Sequence, residues 1–164
     1  MKIYSILPVF LLCLVLGSVS AQEKNINANP EKENKVTNPI ATLLNSGSFE
    51  FIANTVLPTT GATKNLVGSD YSVTFSPEMI NSNLPFYGRV NSGITIGRDK
   101  GMRFQGEPEN FKIENKKEYQ ITTTVKDGDT YDIFLAVSKT GNATLSINSD
   151  KRETITYHGE IVKD

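Results

Sequence analysis

The chain has 164 residues with one cysteine and no tryptophan, and its 17 basic and 18 acidic residues give a formal net charge of −1. Charges of both signs are scattered along the sequence, which argues against a nucleic-acid binder, because such a protein needs a basic stripe that displaces counterions. The same balance argues against electrostatic attachment to anionic lipid.

The first 21 residues have the layout of a secretory signal peptide. Lys2 supplies the positive start, an apolar core follows over 6–16, and Val19-Ser20-Ala21 places small residues before the cleavage point. This core is shorter than the roughly 20 residues that span a bilayer. We therefore expect cleavage after Ala21, a periplasmic or secreted protein and no membrane span in the mature chain, with an uncleaved anchor as the alternative.

The mature chain contains no cysteine, because Cys13 lies inside the apolar core of the signal peptide. Its stability is therefore expected to come from a hydrophobic core and not from disulfides. Residues 22–37 are rich in Asn, Glu and Lys, and such a composition cannot bury enough apolar area to fold. We predict a flexible polar linker over 22–37 and a single β-rich domain over 38–164.

A short helix is predicted at the start of this domain. Asn38 is a good N-cap, Pro39 suits the first helical position, and Gly47 suits a left-handed residue after the helix. Ile40 and Leu43-Leu44 recur at helical spacing and form one apolar stripe.

From Phe49 onward, apolar residues recur at every second position, which is typical of half-buried antiparallel strands. Asp127-Gly128 and Gly141-Asn142 separate such runs and predict hairpins. The last 46 residues are expected to form a four-stranded meander. The fold class predicted is mainly β, an antiparallel sandwich or partly closed barrel of seven to nine strands with one short N-terminal helix. The alternating residues are Phe49, Phe51, Ala53, Tyr71, Val73, Phe75, Phe111, Ile113, Tyr119, Ile121, Thr123, Val125, Tyr131, Ile133, Leu135, Val137, Ala143, Leu145, Ile147, Ile155, Tyr157, Gly159 and Ile161.

The stretch SNLPFYGRV, residues 82–90, combines aromatic rings with a proline, a glycine and an arginine. Because Pro85 cannot donate a ladder hydrogen bond, we expect a strand that starts there or lies on an edge, after a turn and loop over 76–83. Its sequence resembles that of 156–162, which suggests neighbouring strands with Arg89 opposite Glu160. The functional alternative is a ligand-binding lip formed by Phe86, Tyr87 and Arg89.

Several short motifs resemble those of an exported Bacteroidetes family, the domain-of-unknown-function family 4251. The resemblance covers about 40–164 and includes the strand motif at Phe49–Ala53, the LPFYGR segment, the GNATLSI hairpin and the final ITYHGEI. The order Phe86-Tyr87 is the reverse of the Tyr-Phe order that we associate with the family. The resemblance implies a fold and an exported location, and none of its motifs is catalytic.

Catalytic residues are sparse in this sequence. His158 is the only histidine, which excludes metal sites with two imidazoles, and its alternation with Tyr157 predicts that it faces solvent. The carboxylate pairs are Glu107/Glu109 and Asp127/Asp129, and we interpret them as a charged turn and a hairpin tip. No catalytic residue, metal site or cofactor is predicted.

The glycine-rich stretch 93–107 carries a cluster of basic residues and is the least regular part of the domain. The sequence therefore predicts an exported non-catalytic β-domain that binds a ligand or an envelope protein, with a small carboxylate-dependent hydrolase as the alternative. The candidate binding surface consists of Phe86, Tyr87, Arg89, Arg98, Lys100 and Arg103.

Overall fold

The structure is a computed structural model that describes residues 38–91 and 101–164. The predicted signal peptide, the predicted linker and two candidate residues, Arg98 and Lys100, lie outside these ranges. The described elements are α1 (Pro39–Asn45), β1 (Phe49–Pro58), β2 (Lys64–Asn65), β3 (Ser72–Phe75), β4 (Ile80–Leu84), β5 (Met102–Gly106), β6 (Glu109–Asn115), β7 (Tyr119–Lys126), β8 (Thr130–Val137), β9 (Asn142–Ser149) and β10 (Arg152–Val162).

All the described strands belong to one antiparallel sheet in the order β5-β4-β3-β1-β10-β9-β8-β7-β6, with β2 paired to β1. The sheet is strongly curled into a half-barrel. The predicted fold class is confirmed. Because the strands form one curled sheet and not two packed sheets, the fold is the partly closed barrel and not the sandwich. The described residues form ten strands, and the two-residue β2 is too short to be seen as a pattern in the sequence.

The predicted C-terminal meander is formed by β7 to β10, each strand paired with the next. The side chains predicted to face inward on these strands are buried, and they form the core together with residues from β1, β3, β4 and β5. Phe111 and Ile113 on the edge strand β6 are less buried, and Phe111 is 37% exposed.

The short helix α1 forms where it was predicted. The Asn38 side chain accepts a hydrogen bond from the Ile40 N–H at 2.9 Å, and Gly47 follows the helix with a φ of +72°. Leu44 is fully buried, and Ile40 and Leu43 lie against the core. The helix therefore covers one end of the half-barrel, where the Asn38 amide also donates to the Lys139 carbonyl.

The expectation for residues 76–85 is wrong in part. Residues 76–79 form the predicted turn, but 80–84 form β4, which pairs with both β3 and β5 and ends before Pro85. The alternation of apolar residues is not visible in the sequence of β4, because the polar residue Ser82 occupies the inward position between Ile80 and Leu84. Its hydroxyl is buried and donates to the Met102 carbonyl at 2.6 Å, which satisfies it inside the core.

The curl of the sheet brings β5 against the β7–β8 hairpin, although these strands are far apart in the sheet order. The rings of Phe104 and Tyr131 stack with centroids 4.1 Å apart. The Gln105 N–H donates to Asp127 Oδ2 at 3.1 Å. These contacts close the sheet on itself across one part of its edge.

Within the described residues, no helix combines the length and the apolar character that crossing a bilayer would require.

Candidate binding surface

Residues 85–91, which we call the end segment, leave β4 and cross the open end of the half-barrel opposite α1. The hydroxyl of the fully buried Tyr157 donates a hydrogen bond to the Pro85 carbonyl at 2.7 Å. At the other end of the segment, Val90 forms an isolated antiparallel bridge with Arg152. The end segment is therefore tied to β10 at two points.

Main-chain hydrogen bonds strengthen the second attachment. The Glu153 N–H donates to the Arg89 carbonyl at 3.0 Å, and the Arg89 N–H donates to the Glu153 carboxylate at 3.3 Å. The Asn91 N–H donates to the Lys151 carbonyl at 2.8 Å. These contacts fix the backbone of the end segment against the first residues of β10.

The predicted pairing of Arg89 with Glu160 is wrong. Strand β10 lies between β1 and β9, and Glu160 is in register with Ile52 and Asn142. Both sides of β10 are therefore occupied around Glu160, and the end segment forms main-chain pairing with β10 only at its start, where Arg89 meets Glu153.

The two adjacent rings of the end segment have different surroundings. Phe86 lies partly buried against the core, with the Arg152 guanidinium 5.8 Å from its ring centroid. Tyr87 is 41% exposed, and the ammonium of Lys64 lies 4.9 Å from its ring centroid. Phe86 thus anchors the segment, while Tyr87 faces solvent beside a cation.

The remaining candidate residues are basic and outward-facing. Arg89 is exposed on the end segment. Arg103 is exposed on β5, and its Nε donates to the Asn83 side chain at 2.9 Å. Arg103 follows Met102, which pairs with Leu84 immediately before the end segment. Of the six predicted residues, the structure therefore places four on or beside the end segment.

Sequence reasoning missed Lys64, which lies in the short strand β2 and reaches Tyr87 from another part of the chain. Sequence alternation is not informative over two residues, and no motif links Lys64 to the end segment. We define the end surface as Lys64, Tyr87, Arg89 and Arg103, with Phe86 as its anchor.

Sequence reasoning also missed Arg152 as a buried residue beneath the end segment. Its Nη1 lies 3.3 Å from Asp129 Oδ2, and that oxygen also accepts from the Ser149 hydroxyl at 2.6 Å. Burial raises the pKa of the neighbouring Tyr131 hydroxyl, and the positive charge of Arg152 acts in the opposite direction. Arg152 and Asp129 therefore form a buried, hydrogen-bonded ion pair that supports the end surface.

Two further carboxylates of the predicted charged turn and hairpin tip, Asp127 and Glu109, are engaged in local contacts. Asp127 accepts from the Gln105 N–H, and Glu109 forms an ion pair with Lys126 at 2.9 Å. Glu107 is exposed. His158 is also exposed, as predicted, and its Nδ1 lies 3.0 Å from the Thr144 hydroxyl. Over residues 38–91 and 101–164, no three His, Asp or Glu side chains form a group that would hold a metal.

Comparison with known proteins places the sequence in a family. The sequence profile of DUF4251, a domain of unknown function, matches residues 31–161. The crystal structure of a DUF4251 family protein from Bacteroides eggerthii DSM 20697 has a similar fold, with a TM-score of 0.59 and 21% sequence identity, covering 74% of this chain and 83% of that chain. No curated protein matches the sequence. The family indicated by the sequence motifs is confirmed, and the chain belongs to the DUF4251 family.

Proposed function

We propose that this protein is an exported, non-catalytic β-domain that binds an acidic ligand or envelope partner through its end surface. The observation that carries the proposal is the exposed ring of Tyr87, which lies 4.9 Å from the Lys64 ammonium and two residues before the exposed Arg89 on a segment fixed across the barrel end. An exposed ring beside one cation, with a second exposed cation on the same segment, suits a ligand that presents a carboxylate or phosphate next to an apolar group.

The attachment of the end segment supports this proposal. Because the Pro85, Arg89 and Val90 backbones are bonded to β10, little backbone entropy remains to be lost when Tyr87 and Arg89 contact a partner. Tyrosine and arginine are also, with tryptophan, enriched among the residues that dominate the binding energy of interfaces.

The proposal of a non-catalytic role rests on how the acidic residues are used. A carboxylate-dependent hydrolase needs two carboxyls facing one cleft. Asp129 instead forms an ion pair with the buried Arg152. Asp127 accepts a hydrogen bond from the main-chain N–H of Gln105 on β5, and Glu109 pairs with the side chain of Lys126 on β7. An exported location is proposed from the first 21 residues of the sequence, and fractionation of cells that express the full chain tests it.

The binding proposal is tested by titrating the domain with poly-L-glutamate and, separately, with inorganic phosphate, while recording amide shifts by NMR. We expect saturable shifts centred on Tyr87 and Arg89 with at least one probe, and we expect Lys64→Ala/Arg89→Ala to weaken that binding at least tenfold. The matched control is Lys117→Ala/Lys163→Ala, which removes the same charge from two exposed positions at the opposite end of the half-barrel.

Equal weakening by both double variants would show a non-specific charge effect and would contradict the proposal. The absence of any saturable shift with both probes would also contradict it.

A further inference from the structure

The outer face of the C-terminal meander carries a shallow cleft that is separate from the end surface. Its volume is about 460 Å³, within the range of about 300–1,000 Å³ found for small-molecule sites. Side chains of β7, β8 and β9 form its floor, and they alternate with the buried side chains of the core. The outward-facing residues that line it are Asn110, Thr122, Thr124, Asp132, Phe134, Ser146, Asn148 and Thr154.

Strand register places the polar groups of this cleft in two adjacent rows. Asp132 lies directly between Thr124 on β7 and Asn148 on β9. In the next row, Phe134 lies between Thr122 and Ser146. Directly opposed side chains in such a sheet are about 4.5–5.5 Å apart at Cβ. Asp132, Asn148 and Phe134 therefore form one compact group.

Hydrogen bonds within the cleft fix which polar atoms face solvent. Thr124 donates its hydroxyl hydrogen to Asp132 Oδ1 at 2.9 Å, and Thr154 donates to Asn148 Oδ1 at 3.1 Å. These bonds orient the two side chains and leave the Oδ2 acceptor of Asp132 and the Nδ2 donors of Asn148 for a ligand. The described residues form no hydrogen bond with either of these atoms.

Phe134 is the unusual member of the group, because it is 39% exposed at the centre of an otherwise polar face. The threonines of this face are explained by their preference for strands, whereas aspartate and asparagine are depleted there. Phe134 is not part of the core, since its neighbours Ile133 and Leu135 already fill the core positions of β8.

One side of the cleft is raised by an irregularity in β6. The pairing of β6 with β7 shifts between Glu109 and Lys112, and Asn110 within this bulge has a φ of +55°. The bulge brings the exposed Asn110 to the border of the cleft. It adds a further amide beside the group formed by Asp132, Asn148 and Phe134.

We propose that this cleft binds a neutral saccharide. A pyranose ring presents an apolar C–H face, which suits the electron-rich face of the neutral Phe134 ring, and a rim of hydroxyls that both donate and accept. One hydroxyl donates to Asp132 Oδ2, and its neighbour accepts from Asn148 Nδ2. Among the described residues that line the cleft there is no lysine or arginine, so an anionic ligand gains no charged partner from them.

The test is an NMR titration of the domain with glucose, galactose, mannose, N-acetylglucosamine, xylose and cellobiose, each taken to saturation or to the solubility limit. We expect at least one sugar to shift the amides of Phe134 and Asn148 saturably. Phe134→Ala and Asp132→Ala should each weaken that binding at least tenfold, because each removes one of the contacts named above.

Two control variants match these changes elsewhere on the surface. Tyr87→Ala removes an aromatic ring of similar exposure from the end surface, and Asp150→Ala removes an exposed carboxylate from a turn. Both should bind the sugar as the wild type does. The proposal is overturned if no sugar of the panel gives saturable shifts at this cleft, or if the control variants weaken binding as much as Phe134→Ala and Asp132→Ala.

Discussion

The guanidinium of Arg152 lies 3.3 Å from the carboxylate of Asp129 in a place where both side chains are almost inaccessible, 7% and 4% exposed. The pair links the first residue of β10 to the β7–β8 hairpin, and the Phe86 ring lies on its outer side. Removing the Arg152 guanidinium leaves the Asp129 carboxylate buried without this cation, and breaking a buried pair in this way is costly.

We therefore expect Arg152→Leu to lower the free energy of unfolding by about 3–5 kcal/mol, because it leaves the Asp129 carboxylate buried without its cation. Urea unfolding followed by circular dichroism measures the change. The double variant Asp129→Asn/Arg152→Leu should recover part of the loss, since the remaining amide carries no charge. A double variant that is less stable than Arg152→Leu would contradict this account.

The hydrogen bond from Tyr157 to Pro85 gives a second prediction. Tyr157→Phe keeps the buried ring but removes the donor to the Pro85 carbonyl, which should cost about 1–3 kcal/mol. Hydrogen exchange should show faster exchange in residues 86–91 than in the wild type, because one of the two attachments of the end segment is lost. Unchanged exchange there would show that the bond does not hold the segment.

Alkaline pH should have a related effect on the wild type. Burial raises the pKa of Tyr157 well above the ordinary value of about 10. Because its pKa is raised in the folded state, neutral Tyr157 makes its full contribution to the free energy of unfolding below about pH 10. This contribution is lost as the pH rises further. Unfolding measured at successive pH values should show this decline, and Tyr157→Phe should show a smaller one. An equal decline in both proteins would assign it to other groups.

The sequence was sufficient to predict the strands whose inward residues are all apolar. Tyr131, Ile133 and Leu135 alternate without exception, and β8 formed as expected. Strand β4 was missed because its central inward residue is Ser82, whose hydroxyl is satisfied by a carbonyl 20 residues later in the chain. An alternation rule that classifies residues by polarity cannot see such a long-range hydrogen bond.

The candidate site was predictable in its composition but not in its geometry. The aromatic and basic character of residues 86–89 is visible in the sequence and made Phe86, Tyr87 and Arg89 candidate surface residues. The sequence did not indicate which of the two rings is buried, whereas in the structure Phe86 is half-buried and Tyr87 is exposed. The partners Lys64 and Glu153 come from β2 and β10, and the curl of the sheet brings them there. Curl is set by the packing of the whole core, so local patterns contain no signal for these contacts.

Glu114 on the edge strand β6 should titrate at unusually low pH. Hydrogen bonds from Lys112 and then Lys116 lower the pKa of this carboxyl to about 2. A lowered pKa means that any stabilising contribution exists above the unfolded pKa and is lost as the pH falls towards 2. Lys112→Ala/Lys116→Ala should return the pKa of Glu114, followed by NMR, towards its ordinary value of about 4.3. Because all three side chains are in contact with solvent, 1 M NaCl should shift the wild-type pKa in the same direction.

Gly159 should be the least replaceable glycine of the described strands, because β1 approaches it closely. A Cβ built at this position would lie 1.8 Å from the Ile52 carbonyl oxygen and 3.0 Å from the Phe51 ring. Gly159 is in register with Ala53, next to the bulge at which the β1–β10 pairing shifts. Since the obstacle is backbone at the centre of the sheet, it cannot move aside without breaking the ladder.

We expect Gly159→Ala to destabilise the protein by about 3 kcal/mol or more, above the usual cost of one extra methyl group in a core. Thermal and urea unfolding measure this. Gly128→Asn is the control, because Gly128 has a φ of +64° at a hairpin tip with open space around it, and asparagine tolerates that conformation. The control should cost less than about 1 kcal/mol. Similar losses in the two variants would contradict the view that the approach of β1 makes Gly159 necessary, because Gly159 has no left-handed φ that would by itself require glycine.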